Sequence, residues 1–297
     1  MNTEERRVLV GGATGYLGRF VAREFKRRGF YVRVLARSAT RLNGLDDEVD
    51  EVFIGQVTEP DTLEGACDGI DIVFSSVGIT KQKDGLTFQD VDFQGNRNLL
   101  EVARKAGVKK FIYTSVFRGP SRTHLDIVKA HEDFVKVLQD SGMPCTVIRP
   151  NGFFSDMGEV LTMARKGRVY LIGKGMNRVN PIHGADLAEV CVDAADRDVS
   201  SLDVGGPEVL TYREIANLAF TAVGKPERIT SVPVWLMRGV VRLTRVFNRH
   251  QGELLAFFTE AMTADDVAPR VGSRRLADHF QKLAAQVAGG EKGEAQP

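Results

Sequence analysis

The sequence predicts an α/β protein: a doubly wound parallel sheet joined to a small, discontinuous C-terminal lobe. Three observations carry this prediction. Short apolar runs alternate with helical patterns over the first half of the chain. Three closely spaced glycines stand between the first apolar run and the first helix. The strand–helix rhythm then breaks just after Arg149 and Pro150.

Six buried strands are read from the apolar runs Val8–Val10, Tyr31–Ala36, Val52–Ile54, Ile70–Ser75, Phe111–Ser115 and Cys145–Ile148. Helical spacing covers Arg19–Arg28, Phe88–Ala106 and Asp126–Gln139 between them. Gly29, Gly107 and Gly142 follow these helices as C-terminal glycines do. After Pro150 comes an irregular, Gly-rich stretch to about Met176. Asn180–Ala188 then leads from a strand end into a helix that runs through Ala195. Further helices are expected to start at Thr211 and Val234, beyond Gly205, Gly206 and Pro207. The main domain is therefore placed at 1–150 with 179–204 returning to it, the second lobe at 151–178 and 205–287, and a disordered tail at 288–297.

Bulk composition excludes several classes. Across 297 residues, 40 Lys and Arg nearly cancel 39 Asp and Glu, so no global field draws the chain to nucleic acid. Cys67, Cys145 and Cys191 are scattered and odd in number, which argues against a disulfide framework or a metal site. The polar N-terminus runs straight into a strand pattern, and no apolar run is long enough to span a bilayer. A cytoplasmic location is expected.

Gly12, Gly15 and Gly18, in Gly12-Ala-Thr14-Gly15-Tyr16-Leu17-Gly18, have the spacing of a phosphate-binding turn. Such a turn needs glycine for the tight bend, for backbone approach to a pyrophosphate, and for helix–strand packing. Standing between a strand and a helix, it marks 1–150 as a Rossmann-type dinucleotide-binding domain, with the positive helix end toward the phosphates. The second strand ends at Arg37, where an NAD site would place a carboxylate for the ribose 2′-hydroxyl. A guanidinium suits a 2′-phosphate instead, so NADP(H) is the expected cofactor, with Arg41 or Arg19 as second contacts. Gln56 and Val57 should flank the adenine, and Ser76, Val77 and Gly78 should run beside the ribose.

By these residues the chain resembles the short-chain dehydrogenase/reductase superfamily in its extended and atypical forms. The resemblance lies toward the branch of NmrA-like proteins, isoflavone-reductase-like enzymes and divinyl chlorophyllide reductases. It is carried by Gly12–Phe30, Ile148–Phe154, Asn180–Ala188 and Val204–Pro207, and extends to about residue 285. It implies that Pro150 and Asn151 lie along the nicotinamide and that His183 borders the substrate pocket. A histidine holding the strand-to-helix corner is an equal reading of His183.

The catalytic pattern of that superfamily is largely missing. Its Tyr-x-x-x-Lys pair sits one helical turn apart so that lysine lowers the tyrosine pKa. Lys129 matches the lysine, but the tyrosine position is Leu125, and His124 is one residue off. Val116 stands where the usual serine would, with Ser115 one position away, and Asp92 replaces a frequent asparagine. Tyr170 and Lys174 have the right spacing but lie among glycines rather than on a helix. For Lys129 three readings stay open: ribose holder, proton donor with a pKa lowered in a closed pocket, or charged helix residue.

Arg238, Arg242, Arg245 and Arg249 form one helical stripe, and Leu236, Val240, Leu243 and Phe247 another. Contact of 234–249 with a membrane surface is one reading; an outer helix with its apolar face buried, begun by a packing Trp235, is preferred. Phe153, Phe154, Met157 and Met163 suggest an apolar substrate side or ordinary core. The expected function is an NADPH-dependent reductase passing hydride to an unsaturated carbon or carbonyl of a small or medium apolar substrate. A divinyl tetrapyrrole reductase is its sharpest form. A non-catalytic NADP(H)-binding sensor or assembly factor is the alternative from another class.

Overall fold

A computed structural model of the chain describes residues 5–42, 44–79 and 85–291, with side chains through 286. The chain divides into two compact units: 1–150 with 187–203, and 151–186 with 204–297. The stretch 179–186, expected to return to the main domain, lies with the second unit.

The first unit is built on β1 (Arg7–Gly11), β2 (Tyr31–Ala36), β3 (Glu51–Ile54), β4 (Ile72–Ser75), β5 (Lys110–Thr114) and β6 (Cys145–Pro150). All five pairings among these six strands are parallel. A seventh strand, which the sequence did not disclose, extends the edge beside β6 in the order β3-β2-β1-β4-β5-β6-β9, where β9 is Ser201–Val204. The central strands β1, β4 and β5 are buried on both faces and so read as continuous apolar runs, whereas the edge strands β3 and β9 are partly exposed. Helices α1 (Tyr16–Arg27), α2 (Asn96–Lys105) and α3 (Asp126–Asp140) connect them. One core joins Leu9, Val73, Leu99, Leu100, Phe111, Tyr113, Phe134 and Val147, all fully buried. The helix expected over Phe88–Ala106 opens instead with a π-helical segment, Gln89–Gly95, that runs into α2.

The second unit contains α4 (Gly158–Arg165), then β7 (Val169–Ile172) paired in parallel with β11 (Ile229–Val232). β8 (Arg178–Val179) pairs antiparallel with β10 (Leu210–Thr211). Helix α5 (Gly184–Asp193) crosses the boundary between the units. Thr211 and Glu214 form a capping box that starts α6 (Tyr212–Ala222) where the sequence places it. Phe154, Leu161, Leu171, Ile215, Phe220 and Phe280 centre a second core.

Helix α7 (Val234–Phe247) meets α8 (Arg249–Thr263) at a hairpin, and α9 (Leu276–Glu291) follows. Asn248 is extended, and its side chain accepts from the Gln251 amide to cap α8. Arg249 therefore begins a new helix and leaves the arginine stripe expected over 238–249. The tail expected from 288 is helical through Glu291, and 292–297 lie outside the described residues. Among the described residues no helix is long and apolar enough to cross a membrane.

Candidate functional site

The sheet order reverses between β1 and β4, and in such sheets the crevice opens at the carboxyl ends of those strands. A cleft lies there. Its walls bring together Gly12, Thr14, Gly15, Arg37, Gln56, Val57, Val77 and Gly78 from four separate strand ends. Gly12 has φ +81, and a Cβ there would stand 2.8 Å from the Ser76 carbonyl oxygen. Only glycine permits both the backbone conformation and the approach. The Gly15 amide donates to the Gly12 carbonyl at 2.9 Å and closes the turn. Helix α1 starts at the next residue with no acid in its first turn, so its positive end is left for an anion. These features fit a dinucleotide pyrophosphate. Leu17 and Gly18 are buried, packing α1 down, and Tyr16 stacks edge-on against Phe20.

Arg37 is exposed on the cleft wall. Arg19, a proposed second contact, donates to the carbonyls of Arg41 and Leu42 and braces the loop after β2. Gln56 turns its amide to Thr58 and Glu59 at 2.9 Å each, leaving Val57 as the apolar surface at this end.

Beneath Gly78 lies a buried polar chain. His131, on α3, has Nδ1 2.6 Å from the Tyr113 hydroxyl and Nε2 3.2 Å from Asp92 Oδ1. Burial pushes the Tyr113 phenol well above its ordinary value, so it stays protonated and donates to Nδ1. The imidazole proton is then assigned to Nε2, facing the carboxylate. Burial also raises the Asp92 carboxyl, against the opposing pull of His131. Asp92 Oδ2 accepts from the Ile79 amide at 3.2 Å, while the buried Oδ1 has no well-aligned donor among the described residues. A Cβ at position 78 would stand 2.8 Å from that Oδ1 and 3.8 Å from His131 Cε1. One turn later Asn96 holds the end of β4, accepting from Ser75 Oγ at 2.5 Å and donating to the Val77 carbonyl at 3.0 Å.

The sequence reading missed His131, Tyr113 and Asn96. A signal existed for His131: it lies three and four residues beyond Val128 and Ile127, on the buried face of α3.

Several expected site residues are engaged elsewhere. The Ser115 hydroxyl donates to Glu132 at 2.8 Å, within a bidentate pair in which Arg149 meets Glu132 at 2.5 and 2.9 Å. That serine is buried in a structural ion pair. Lys129 is exposed on the first turn of α3 and pairs with Asp133 at 2.5 Å, so it does not occupy a closed pocket. Leu125, in the tyrosine position, is buried immediately before α3. Tyr170 lies exposed on β7, a strand, so its spacing to Lys174 has no helical meaning. Pro150 ends β6, its carbonyl accepting from Phe117.

In the second unit, Asn151 is committed to structure. Its amide donates to Asn180 Oδ1 at 2.6 Å and the Asp266 carbonyl at 2.7 Å. Asn180 in turn donates to the Gly206 and Ala268 carbonyls, joining three motif stretches into one buried knot. His183 Nδ1 accepts from the Ala185 amide at 3.1 Å at the start of α5, and its ring stacks edge-on with Phe154 and His279. Burial, then the nearby His279 charge, lowers His183 to about 4, so it is neutral at neutral pH. The geometry is that of the corner-holding histidine. Phe154 is buried in the second core, and Met157 and Met163, partly buried, pack against that core. Among the described residues no group of three or more His, Cys, Asp or Glu could hold a metal ion.

Comparison with known proteins agrees with the cleft. The divinyl chlorophyllide a 8-vinyl-reductase of Arabidopsis thaliana is 28% identical, over 97% of this chain and 79% of the relative. The photosystem II assembly factor Ycf39 of Synechocystis is also 28% identical, over 87% of this chain and 82% of the relative. Among solved structures, an Escherichia coli NADPH-dependent quinone oxidoreductase complexed with NADPH superposes with a TM-score of 0.72. It is 18% identical and covers 93% of this chain and 99% of its own. The Citrobacter triphenylmethane reductase complexed with NADP(H) gives 0.73 at 18% identity, with the same coverage. At that identity the two structures attest the fold. The profile described as NAD(P)H-binding matches residues 12–198. With the phosphate turn and its cleft inside that span, the chain belongs to the NAD(P)H-binding family.

Proposed function

We propose that the protein is a cytoplasmic, NADPH-dependent reductase that passes hydride to an unsaturated carbon or carbonyl of a small or medium organic substrate. The observation that carries this is the cleft itself. It joins a phosphate turn, a cation at the 2′-phosphate end of the second strand, and a buried Tyr113–His131–Asp92 chain behind Gly78. Bound NADPH supplies the hydride. The Gly12–Gly15 turn and the start of α1 hold its pyrophosphate, and Arg37 distinguishes it from NADH by pairing with the 2′-phosphate. In the Tyr113–His131–Asp92 chain the Tyr113 hydroxyl donates to His131, whose other ring nitrogen faces Asp92, and the group forms the floor of the cleft at Gly78. Lys129 remains the proposed ribose contact; to serve, its amine must exchange Asp133 for the cofactor. The relative named as an 8-vinyl-reductase supports reduction.

A second reading, an NAD(P)H-binding assembly factor without turnover, is favoured by buried Leu125 in the tyrosine position and by the Ycf39 relative. Isotope transfer separates the two. NADPH deuterated at C4 on either face is incubated with the protein and a panel of quinones, conjugated enones and vinyl-bearing tetrapyrroles. Deuterium in a product, from one face only, is expected of the reductase. No transfer from a protein that binds NADPH would select the assembly role.

A further inference from the structure

Helix α7 presents its apolar face outward. Trp235, Leu236, Val240, Leu243, Val246 and Phe247 are all exposed, from 40% at Val240 to 82% at Phe247. At 3.6 residues per turn they cover roughly 140° of the helix. On the other side Val241 is buried, and Arg245 pairs with buried Glu253 of α8 at 2.8 Å, fastening the hairpin. The outer helix expected to hide its apolar stripe therefore shows it, which single soluble helices do not ordinarily do.

Charge indicates what covers this face. From Arg228 to Gly252 there is no Asp or Glu, while Arg stands at 228, 238, 242, 245 and 249. Exposed Arg238 and Arg242 border the apolar face, one turn from Trp235 and Val246 respectively. A second copy of the chain is a poor occupant, because a two-fold pairing of this face brings the same arginines together with no acid on the helix to offset them. An anionic lipid surface takes both features at once: acyl chains cover the apolar side chains and phosphates meet the guanidinium groups.

We propose that α7 is a membrane-surface helix whose apolar face enters the headgroup region of an anionic bilayer, with Arg238 and Arg242 on the lipid phosphates. The inference is independent of the reductase reading. Trp235, the only tryptophan, reports on this helix directly.

The test titrates the full chain with phosphatidylcholine vesicles, with and without phosphatidylglycerol, following Trp235 emission and co-sedimentation. A blue shift and sedimentation are expected with the anionic vesicles alone, weakening as salt is raised. Arg238→Glu/Arg242→Glu should lower partitioning at least about tenfold. Val246→Ser/Phe247→Ser should abolish the blue shift. Both variants change exposed positions and should keep wild-type NADPH affinity. Absence of any shift or sedimentation with anionic vesicles would overturn the proposal. So would a lipid-free blue shift that follows protein concentration, which would mean that a second copy covers the face.

Discussion

Substituting alanine for Gly78 tests the link between the cleft and the chain beneath it. The added methyl would stand 2.8 Å from Asp92 Oδ1, well inside the ~3.5 Å at which carbon contacts become favourable. Asp92 cannot swing aside: it is 1% exposed, its other oxygen takes the Ile79 amide, and its backbone carbonyl takes the Asn96 amide at 2.8 Å. Overpacking at such a site costs about 1–3 kcal/mol. For a unit of this size that lowers Tm by roughly 2–4 °C per kcal/mol. Asp92→Ala removes the obstructing oxygen, so Gly78→Ala should cost at least ~1 kcal/mol less in that background, a coupling typical of residues in contact. Thermal unfolding of the wild type, both single variants and the double variant completes the cycle. Strict additivity, or a neutral Gly78→Ala, would refute the close approach of Asp92 to the cleft floor.

Three further outcomes follow from the same geometry. Arg37→Ala should weaken NADPH about 10–30-fold, at the low end for a charge-assisted contact because the residue is exposed, and leave NADH unchanged; calorimetric titration with both cofactors at fixed salt checks it, and an unaltered affinity ratio would place 2′-phosphate recognition elsewhere. His183 titrates near 4 in the folded chain but near 6.5 unfolded, and His279 is shifted the same way, so the unfolded state takes up protons first as pH falls. The stability this gives is complete above about 6.5 and is lost toward 4. His183→Phe should flatten the Tm profile over that window, and a variant that falls as steeply as the wild type would contradict the assignment. Burial raises the Cys67 thiol to about 12 and lifts Cys191 as well, so neither should react with iodoacetamide in the native protein at pH 8 while both react in urea.

The nucleotide half of the fold was legible because its signals are local. Six apolar runs became six strands within a residue or two at most ends, since the central strands are buried almost throughout and the few polar residues in them, such as Arg33, are buried too. The turn at Gly12–Gly18 and the position of Arg37 depend only on strand–turn–helix order. β9 escaped because of its four residues only Val204 is fully buried. The buried polar contacts escaped for a different reason. Asn180 reaches Ala268 across 88 residues and Tyr113 reaches His131 across 18, and no periodicity encodes such partners. Asn151 therefore looked functional although its amide is committed to Asn180 and the Asp266 carbonyl, and Asp186 likewise accepts from the Ser273 and Arg274 amides. On α7 the sequence drew the apolar and basic faces apart from Arg249, which starts α8, but which face the protein covers is decided by α8.

The central claim is that NADPH lies in the cleft of the first unit, from Arg37 to Gly78. A crystal structure of the chain with NADPH tests it most directly. The account predicts the pyrophosphate on the Gly12–Gly15 turn, the 2′-phosphate on Arg37 and the nicotinamide half running past Gly78 above His131. Electron density for the cofactor away from the Gly12 turn, or a 2′-phosphate that leaves Arg37 untouched, would contradict it.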